Sequence, residues 1–203
     1  MSTTLNNIIH AAEATGVART GNSYYEAVYS RYAGLLLQPQ PASRQAIAGA
    51  RDAACRRLAA YLNTCASMAA TEPDAWRDLY AYRNARGALT ERGCQAALEP
   101  TPLRPIRRAG TKARLRHIRR RHQPGPAMEA GFEREIARAK DAYFHAVYGL
   151  YMPLLLQGAP RQAITGARDA ACRRLAAYLD VCAAWAATYP ASWRRHVRPA
   201  ESA

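Results

Sequence analysis

The chain has 203 residues, of which 49% are hydrophobic, and its 29 lysines and arginines against 15 aspartates and glutamates leave a net charge of +14. This length allows one or two small domains with a buried core, and the charge favours partners that carry phosphate or other acidic groups. Because no segment approaches the roughly 20 apolar residues of a membrane span and the first residues lack the apolar run of a signal peptide, we expect a cytoplasmic protein with no membrane partner.

The sequence contains an internal duplication. Residues 44–71 match residues 161–188 at 23 of 28 positions, and the five differences fall at positions 48, 63, 64, 67 and 68. A second match, shifted by two residues, aligns Tyr24–Gln38 with Tyr143–Gln157. A repeat of this length indicates two copies of one structural unit, which we call copy one and copy two.

A short helix is expected over residues 5–14, and the first segment of each copy predicts a longer one. Apolar and aromatic side chains recur there every three or four residues, as on the buried face of a helix. In copy one they are Tyr24, Val28, Tyr32, Leu35 and Leu36. Gly34 and its counterpart Pro153 lie near the end of this segment, where either residue weakens or kinks a helix.

The second segment of each copy predicts one long, uninterrupted amphipathic helix. We expect it over Ser43–Thr71, with Ser43 as the N-cap residue, and over Ala159–Thr188, with Pro160 at the first helical position. Prolines at positions 73 and 190 should end the two helices. The predicted buried face in copy one consists of Ile47, Ala54, Leu58, Tyr61, Leu62, Cys65 and Ala69, and Leu175 is the counterpart of Leu58.

The fold class that follows is all-α, with the two copies as tandem helical hairpins. One hairpin leaves an apolar side uncovered, so two hairpins can cover each other as a pseudo-two-fold four-helix bundle with extra peripheral helices. The alternative is that each hairpin packs against another chain, as in a homo-oligomer. Only copy one is expected to have a helical extension, over residues 78–99. The predicted domains are a first repeat unit at 1–99, a linker at 100–128 and a second repeat unit at 129–203.

The linker contains the most suggestive residues for function. It has nine cations, two histidines and no acidic residue, a composition suited to phosphate backbones and RNA grooves. The nine candidate nucleic-acid-binding residues are Arg104, Arg107, Arg108, Lys112, Arg114, Arg116, Arg119, Arg120 and Arg121. Thr111 is a candidate cap for a short helix over Lys112–His122. The alternative is an inert, solvated linker that prolines separate from both repeat units, and a GC-rich coding sequence would also explain the excess of arginine over lysine.

Arg51 and Arg168 occupy equivalent positions on the predicted long helices. Both lie about 40° from the centre of the apolar face, where a leucine is expected. One interpretation is that each side chain extends to solvent or pairs with a carboxylate such as Asp52, Asp169 or Glu26. The other is that the two arginines form a symmetric anion clamp where the repeats meet.

The five cysteines include neither a Cys-x-x-Cys pair nor a cluster with histidine at zinc-ligand spacing. They are Cys55, Cys65, Cys94, Cys172 and Cys182. We interpret them as small core residues of a reduced, cytosolic protein, and we expect neither a metal site nor a cofactor.

The tyrosines of the first helices have two interpretations. They are Tyr24, Tyr25, Tyr29, Tyr32, Tyr143, Tyr148 and Tyr151. Their rings are able to stack on nucleic-acid bases. An aromatic stripe at helical spacing is more typical of a core, and that is the interpretation we prefer.

Catalysis is not expected, because the five histidines are scattered and the sequence has no glycine-rich phosphate loop or nucleophile and base at a suggestive spacing. Two functions remain. The preferred one is a basic, non-enzymatic helical protein that associates with DNA or RNA, non-specifically, or with a nucleoprotein complex, through the arginine-rich linker. The alternative is a helical protein–protein interaction module, an adaptor or inhibitor, that binds an acidic protein surface.

Overall fold

The computed structural model describes residues 16–38, 40–81 and 126–197. Every regular element in these ranges is a helix, which confirms the predicted all-α class. No helix in this part of the chain combines the length and the apolar character that a bilayer crossing requires. The helix predicted at residues 5–14, residues 82–99 of the predicted extension and all nine linker cations lie outside the described residues.

The described part of the chain contains six helices, three from each copy. They are α1 over residues 17–37, α2 over Arg44–Thr71, α3 over residues 73–81, α4 over residues 126–156, α5 over Arg161–Thr188 and α6 over Pro190–Val197. In α1 the buried side chains of the predicted stripe are Tyr24, Val28, Tyr32 and Leu36. The sequence spacing therefore located the buried face of this helix correctly.

Helices α1 and α4 each contain one π-helical segment, at equivalent positions. These segments span Glu26–Tyr32 in α1 and His145–Tyr151 in α4, and each is flanked by α-helix on both sides. In a π-helix the backbone N–H bonds to the carbonyl five residues earlier, which changes the direction of the side chains that follow. The sequence did not predict these segments. Pro153 follows the segment in α4, but Gly34 holds the equivalent position in α1, so proline is not required for this conformation.

Helices α2 and α5 are continuous, as predicted. Ser43 is the N-cap residue of α2, because its Oγ accepts a hydrogen bond from the backbone N–H of Ala46 at 3.1 Å. Pro160 was expected at the first helical position of α5, and this prediction is wrong. Its ψ of 142° is extended, so the helix begins one residue later, at Arg161.

Helices α3 and α6 each follow the long helix of their copy after a single non-helical residue. The sequence predicted an extension in copy one only, so α6 is a correction. The prolines at 73 and 190 end one helix and begin the next, because the first residue of a helix makes no intrahelical bond through its N–H. Trp76 in α3 and Trp193 in α6 are both buried and belong to the hydrophobic core.

The two copies share one hydrophobic core. Helix α1 packs on α2, α4 packs on α5, and the long helices α2 and α5 pack against each other. Leu58 and Leu175 are 0% and 1% exposed, so the predicted face of each long helix is the buried one. We call the contact surface between the two copies the junction.

Candidate functional site

The linker cations lie outside the described residues, so their role in binding stays a prediction. The described residues contain sixteen lysines and arginines against eleven aspartates and glutamates, a net charge of +5. Several of these cations are paired, as Arg77 is with Asp74 at 2.7 Å and Arg195 with Glu129 at 2.8 Å. Nine of the fourteen net positive charges therefore belong to the rest of the chain.

Two buried tyrosines form hydrogen bonds across the junction at equivalent positions. The hydroxyl of Tyr32 donates to the backbone carbonyl oxygen of Leu179, and the hydroxyl of Tyr151 donates to the carbonyl oxygen of Leu62. Burial raises the pKa of each of these two tyrosines well above the usual value for tyrosine. Because a buried hydroxyl without a partner is costly, these two bonds restrict how the copies dock on each other.

A third tyrosine contact joins helices α1 and α4. The hydroxyl oxygens of Tyr24 and Tyr143 lie 2.7 Å apart in a buried hydrogen bond, in which one donates and the other accepts. These residues are counterparts in the two copies, so each one contacts its own equivalent. Burial raises the pKa of both, which keeps both phenols protonated in the folded protein.

Cys55 and Cys172 meet at the crossing of α2 and α5. The thiol of Cys55 points to the carbonyl oxygen of Cys172 at 3.6 Å, and the thiol of Cys172 points to the carbonyl oxygen of Cys55 at 3.7 Å. Burial raises the pKa of Cys55 and raises that of Cys172 to about 11. Because nucleophilic and metal-binding cysteines react as thiolates, these raised values favour the interpretation as core residues.

Arg51 extends from copy one to copy two. Its guanidinium donates to Asp52, at 3.0 Å, and to Asp180 of the other copy, at 2.9 Å. Glu26, which was also considered as a partner, pairs instead with Arg31 at 3.1 Å. The pairing with a carboxylate was expected, but the partner in the other copy was not.

Arg168 makes the equivalent contacts from copy two to copy one, with one chemical difference. Its guanidinium donates to Asp169 at 2.7 Å and to the neutral side-chain oxygen of Asn63 at 2.9 Å. Asn63 stands where the other copy has Asp180. The two arginines thus connect the copies, and their proposed action as a clamp for an external anion stays a prediction.

Four exposed arginines follow Cys55 and Cys172 in the sequence. They are Arg56, Arg57, Arg173 and Arg174. Because the two cysteines touch, these arginines lie next in sequence to the crossing of α2 and α5. Within the described ranges, none of the four forms an ion pair or a side-chain hydrogen bond. We call this group the junction arginines.

The seven tyrosines of the first helices divide into two groups. Those in the core are Tyr24, Tyr32, Tyr143 and Tyr151, whereas those on the surface are Tyr25, Tyr29 and Tyr148. Phe144 joins the surface group with 37% exposure, and the sequence analysis missed it. The available signal was its alignment with Tyr25, because an aromatic ring is present at that position in both copies.

A cavity of about 210 Å³ lies between α3 of copy one and the turn that joins α4 to α5. Trp76, Arg77, Leu155 and Gly158 are among its lining residues. Its volume is below the usual range of small-molecule sites, so we assign it no ligand.

The described residues contain no group of three or more side chains placed to hold a metal ion. The notable groups among the described residues are exposed guanidinium groups, tyrosine hydroxyls that form hydrogen bonds across the junction, and exposed aromatic rings. Comparison of the chain with models of protein families, with curated proteins and with solved structures gives no significant match.

Proposed function

We propose that this chain is a basic, non-enzymatic cytoplasmic protein that associates with nucleic acid, or with a nucleoprotein complex, through its arginine-rich linker. The observation that carries the proposal is the charge distribution. The linker has nine cations and no acidic residue, whereas the described residues contain sixteen cations and eleven acidic residues, so most of their positive charge is balanced. Lysine and arginine that neutralise phosphates release counterions, and this supplies most of the affinity of non-specific binding.

We further propose that the two hairpins form a pseudo-two-fold four-helix bundle, with α3 and α6 at its periphery. The reciprocal contacts support this arrangement, since Tyr32 bonds to Leu179 as Tyr151 bonds to Leu62. The thiols of Cys55 and Cys172 add a further reciprocal pair. In such a bundle the linker joins the two halves of one folded body, and its cations act as a single basic segment attached to that body.

The test is the salt dependence of binding to labelled single-stranded and duplex DNA. A linker variant replaces Arg116, Arg119, Arg120 and Arg121 with serine. If all four side chains contact phosphates, the plot of log affinity against log salt should become flatter by up to about four units. Binding should weaken similarly for unrelated sequences, because phosphate contacts do not read bases.

A matched control removes the same number of charges from the folded part. It replaces the junction arginines Arg56, Arg57, Arg173 and Arg174 with serine, and we expect its salt slope to stay within about one unit of the parent slope. Circular dichroism and thermal denaturation should barely change in the linker variant, since a segment between the two repeat units contributes little to the core of either one.

The junction arginines favour a second candidate function. Four exposed guanidinium groups without ion pairs among the described residues lie on the long helices α2 and α5, and exposed positive charge of this kind suits an acidic protein surface. If the linker variant binds both DNA probes as tightly as the parent and with the same salt slope, the linker acts only as a tether. The protein–protein interaction module then becomes the better proposal.

A further inference from the structure

In each copy the π-helical segment accompanies a pair of aromatic rings on the protein surface. The rings of Tyr25 and Tyr29 stack with centroids 6.0 Å apart and planes 20° apart, and those of Phe144 and Tyr148 stack at 5.9 Å and 21°. Tyr29 is the most exposed of the four, at 63%. Since π-helical turns are rare and frequently occur at functional sites, their presence beneath both pairs directs attention to this surface.

The two pairs belong to one surface. Tyr24 and Tyr143 share a buried hydrogen bond. The ring centroid of Tyr24 lies 5.3 Å from that of Tyr25, and the ring centroid of Tyr143 lies 5.2 Å from that of Phe144. The exposed rings therefore surround the point where α1 meets α4.

Exposed positions in this region have otherwise diverged between the copies. Position 26 has Glu where its counterpart has His, position 30 has Ser where its counterpart has Gly, and position 31 has Arg where its counterpart has Leu. The two aromatic positions keep a ring in both copies, although Tyr25 corresponds to Phe144 and so differs by a hydroxyl. What is common to the copies is the ring, which packing in a core does not explain at an exposed site.

The charge of the chain decides between the possible partners of these rings. A second copy of the protein would bring together two chains that each carry +14, whereas a polyanion is attracted. Nucleic-acid bases also match aromatic rings chemically, because every base has a face that stacks on tyrosine or phenylalanine. Only unpaired bases expose that face, since the bases of a duplex are stacked on each other.

We infer that Tyr25, Tyr29, Phe144 and Tyr148 form an aromatic platform on which the bases of single-stranded nucleic acid stack. This inference rests on the proposed function and adds to it the class of nucleic acid. The linker attracts the phosphates, and the platform holds the bases. Stacking involves no counterion release, so the two contributions differ in their dependence on salt.

The experiment measures binding of the full chain to a fluorescent oligothymidylate and to duplex DNA of the same length, over a series of salt concentrations. The platform variant is Tyr29→Ala with Tyr148→Ala, and both side chains lie at the surface, so circular dichroism should match the parent. Each lost stacking contact weakens binding by about fivefold or more. We therefore expect at least about 25-fold weaker binding to the single strand, an unchanged salt slope and little change for the duplex.

Two matched variants isolate the role of the rings. Tyr29→Phe with Tyr148→Phe keeps both rings and should bind the single strand like the parent. Leu150→Ala removes an apolar side chain that is 47% exposed and lies in the π-helical segment of Tyr148. This variant should also bind the single strand like the parent. An equal loss of affinity in the Leu150→Ala variant would indicate general apolar contact and would overturn the stacking proposal.

The other outcomes separate this inference from the proposed function. If the linker variant shows a flatter salt slope while the platform variant binds the single strand like the parent, only the platform is refuted. If the platform variant instead loses self-association in sedimentation equilibrium and keeps its nucleic-acid affinity, the surface is a contact between copies of the chain. A parent chain that binds neither probe overturns both proposals.

Discussion

In copy one the guanidinium of Arg51 reaches the carboxylate of Asp180, whereas in copy two the guanidinium of Arg168 reaches the amide oxygen of Asn63. The hydroxyl bonds of Tyr32 and Tyr151, by contrast, are the same in both directions. The tyrosine hydroxyls are buried, and the arginine side chains keep 30% and 26% of their surface exposed. The partly exposed arginine contact thus differs in charge between the copies, whereas the buried hydroxyls bond to backbone carbonyls, which every residue has.

The copies also differ in bulk at one equivalent core position. Met68 in α2 and Trp185 in α5 are both fully buried. Around Trp185 the structure places Phe132, stacked at 5.8 Å, and Trp193, edge-on at 5.8 Å. The larger side chain therefore lies in an aromatic cluster of copy two.

The largest expected effect is a loss of stability at high pH. Burial raises the pKa of six tyrosines above the usual 10.0, namely Tyr24, Tyr29, Tyr32, Tyr143, Tyr151 and Tyr178. Above that pH the unfolded chain releases these protons while the folded protein retains them, so stability is intact below about pH 10 and falls above it. The fall is about 1.4 kcal/mol per pH unit for each tyrosine that stays protonated.

Urea denaturation between about pH 9 and about pH 11 measures this slope. Tyr32→Phe and Tyr151→Phe should each reduce it by the contribution of one tyrosine, and by the same amount. At neutral pH each variant should also lose about 1 kcal/mol, because a buried hydrogen bond to a carbonyl is removed. Unequal effects of the two variants would break the equivalence of the copies at the junction.

The next largest effect concerns the two central leucines. Leu58→Ala and Leu175→Ala should each cost about 2 to 5 kcal/mol of unfolding free energy, because each leaves a cavity in the shared core. Leu150→Ala makes the same chemical change at an exposed site and should cost less than about 0.5 kcal/mol. Chemical denaturation of the three variants checks this, and a loss below about 1 kcal/mol at either core position would contradict the shared core.

Much of the helical layout was predictable from the sequence, because it depends on local signals. Ser43 shows its capping role through residue type and position, and the long apolar stripes predict continuous helices. The π-helical turns were not predictable, because a stripe with spacings of three and four also fits an uninterrupted α-helix. The error at Pro160 has a similar cause, since proline suits both the first helical turn and the extended residue before it.

The candidate site was predictable only in part, because its contacts join residues far apart in the chain. The position of Arg51 on the apolar face correctly indicated a carboxylate partner, but Asp180 lies in the other copy and no local spacing marks it. The seven tyrosines were interpreted as one core stripe, but Tyr25, Tyr29 and Tyr148 lie on the surface. Long-range geometry of this kind appears only when both copies are placed together.

The smallest expected effect sharpens the comparison of the two arginine contacts. Asn63→Asp gives Arg168 the carboxylate partner that Arg51 already has, and it should raise the free energy of unfolding by about 0.2 to 1 kcal/mol at low salt. Asp180→Asn should lower it by a similar amount. Both differences should shrink in about 1 M salt, where charges on partly exposed groups are screened over about 3 Å.

The exchange variant, Asn63→Asp with Asp180→Asn, is the control, because it moves the carboxylate from one copy to the other and leaves the net charge unchanged. Its stability in urea should match that of the parent at every salt concentration. If Asn63→Asp instead destabilises the protein, or if its effect is independent of salt, then Arg168 does not approach position 63 as Arg51 approaches position 180. The two copies would then be equivalent in their tyrosine bonds alone.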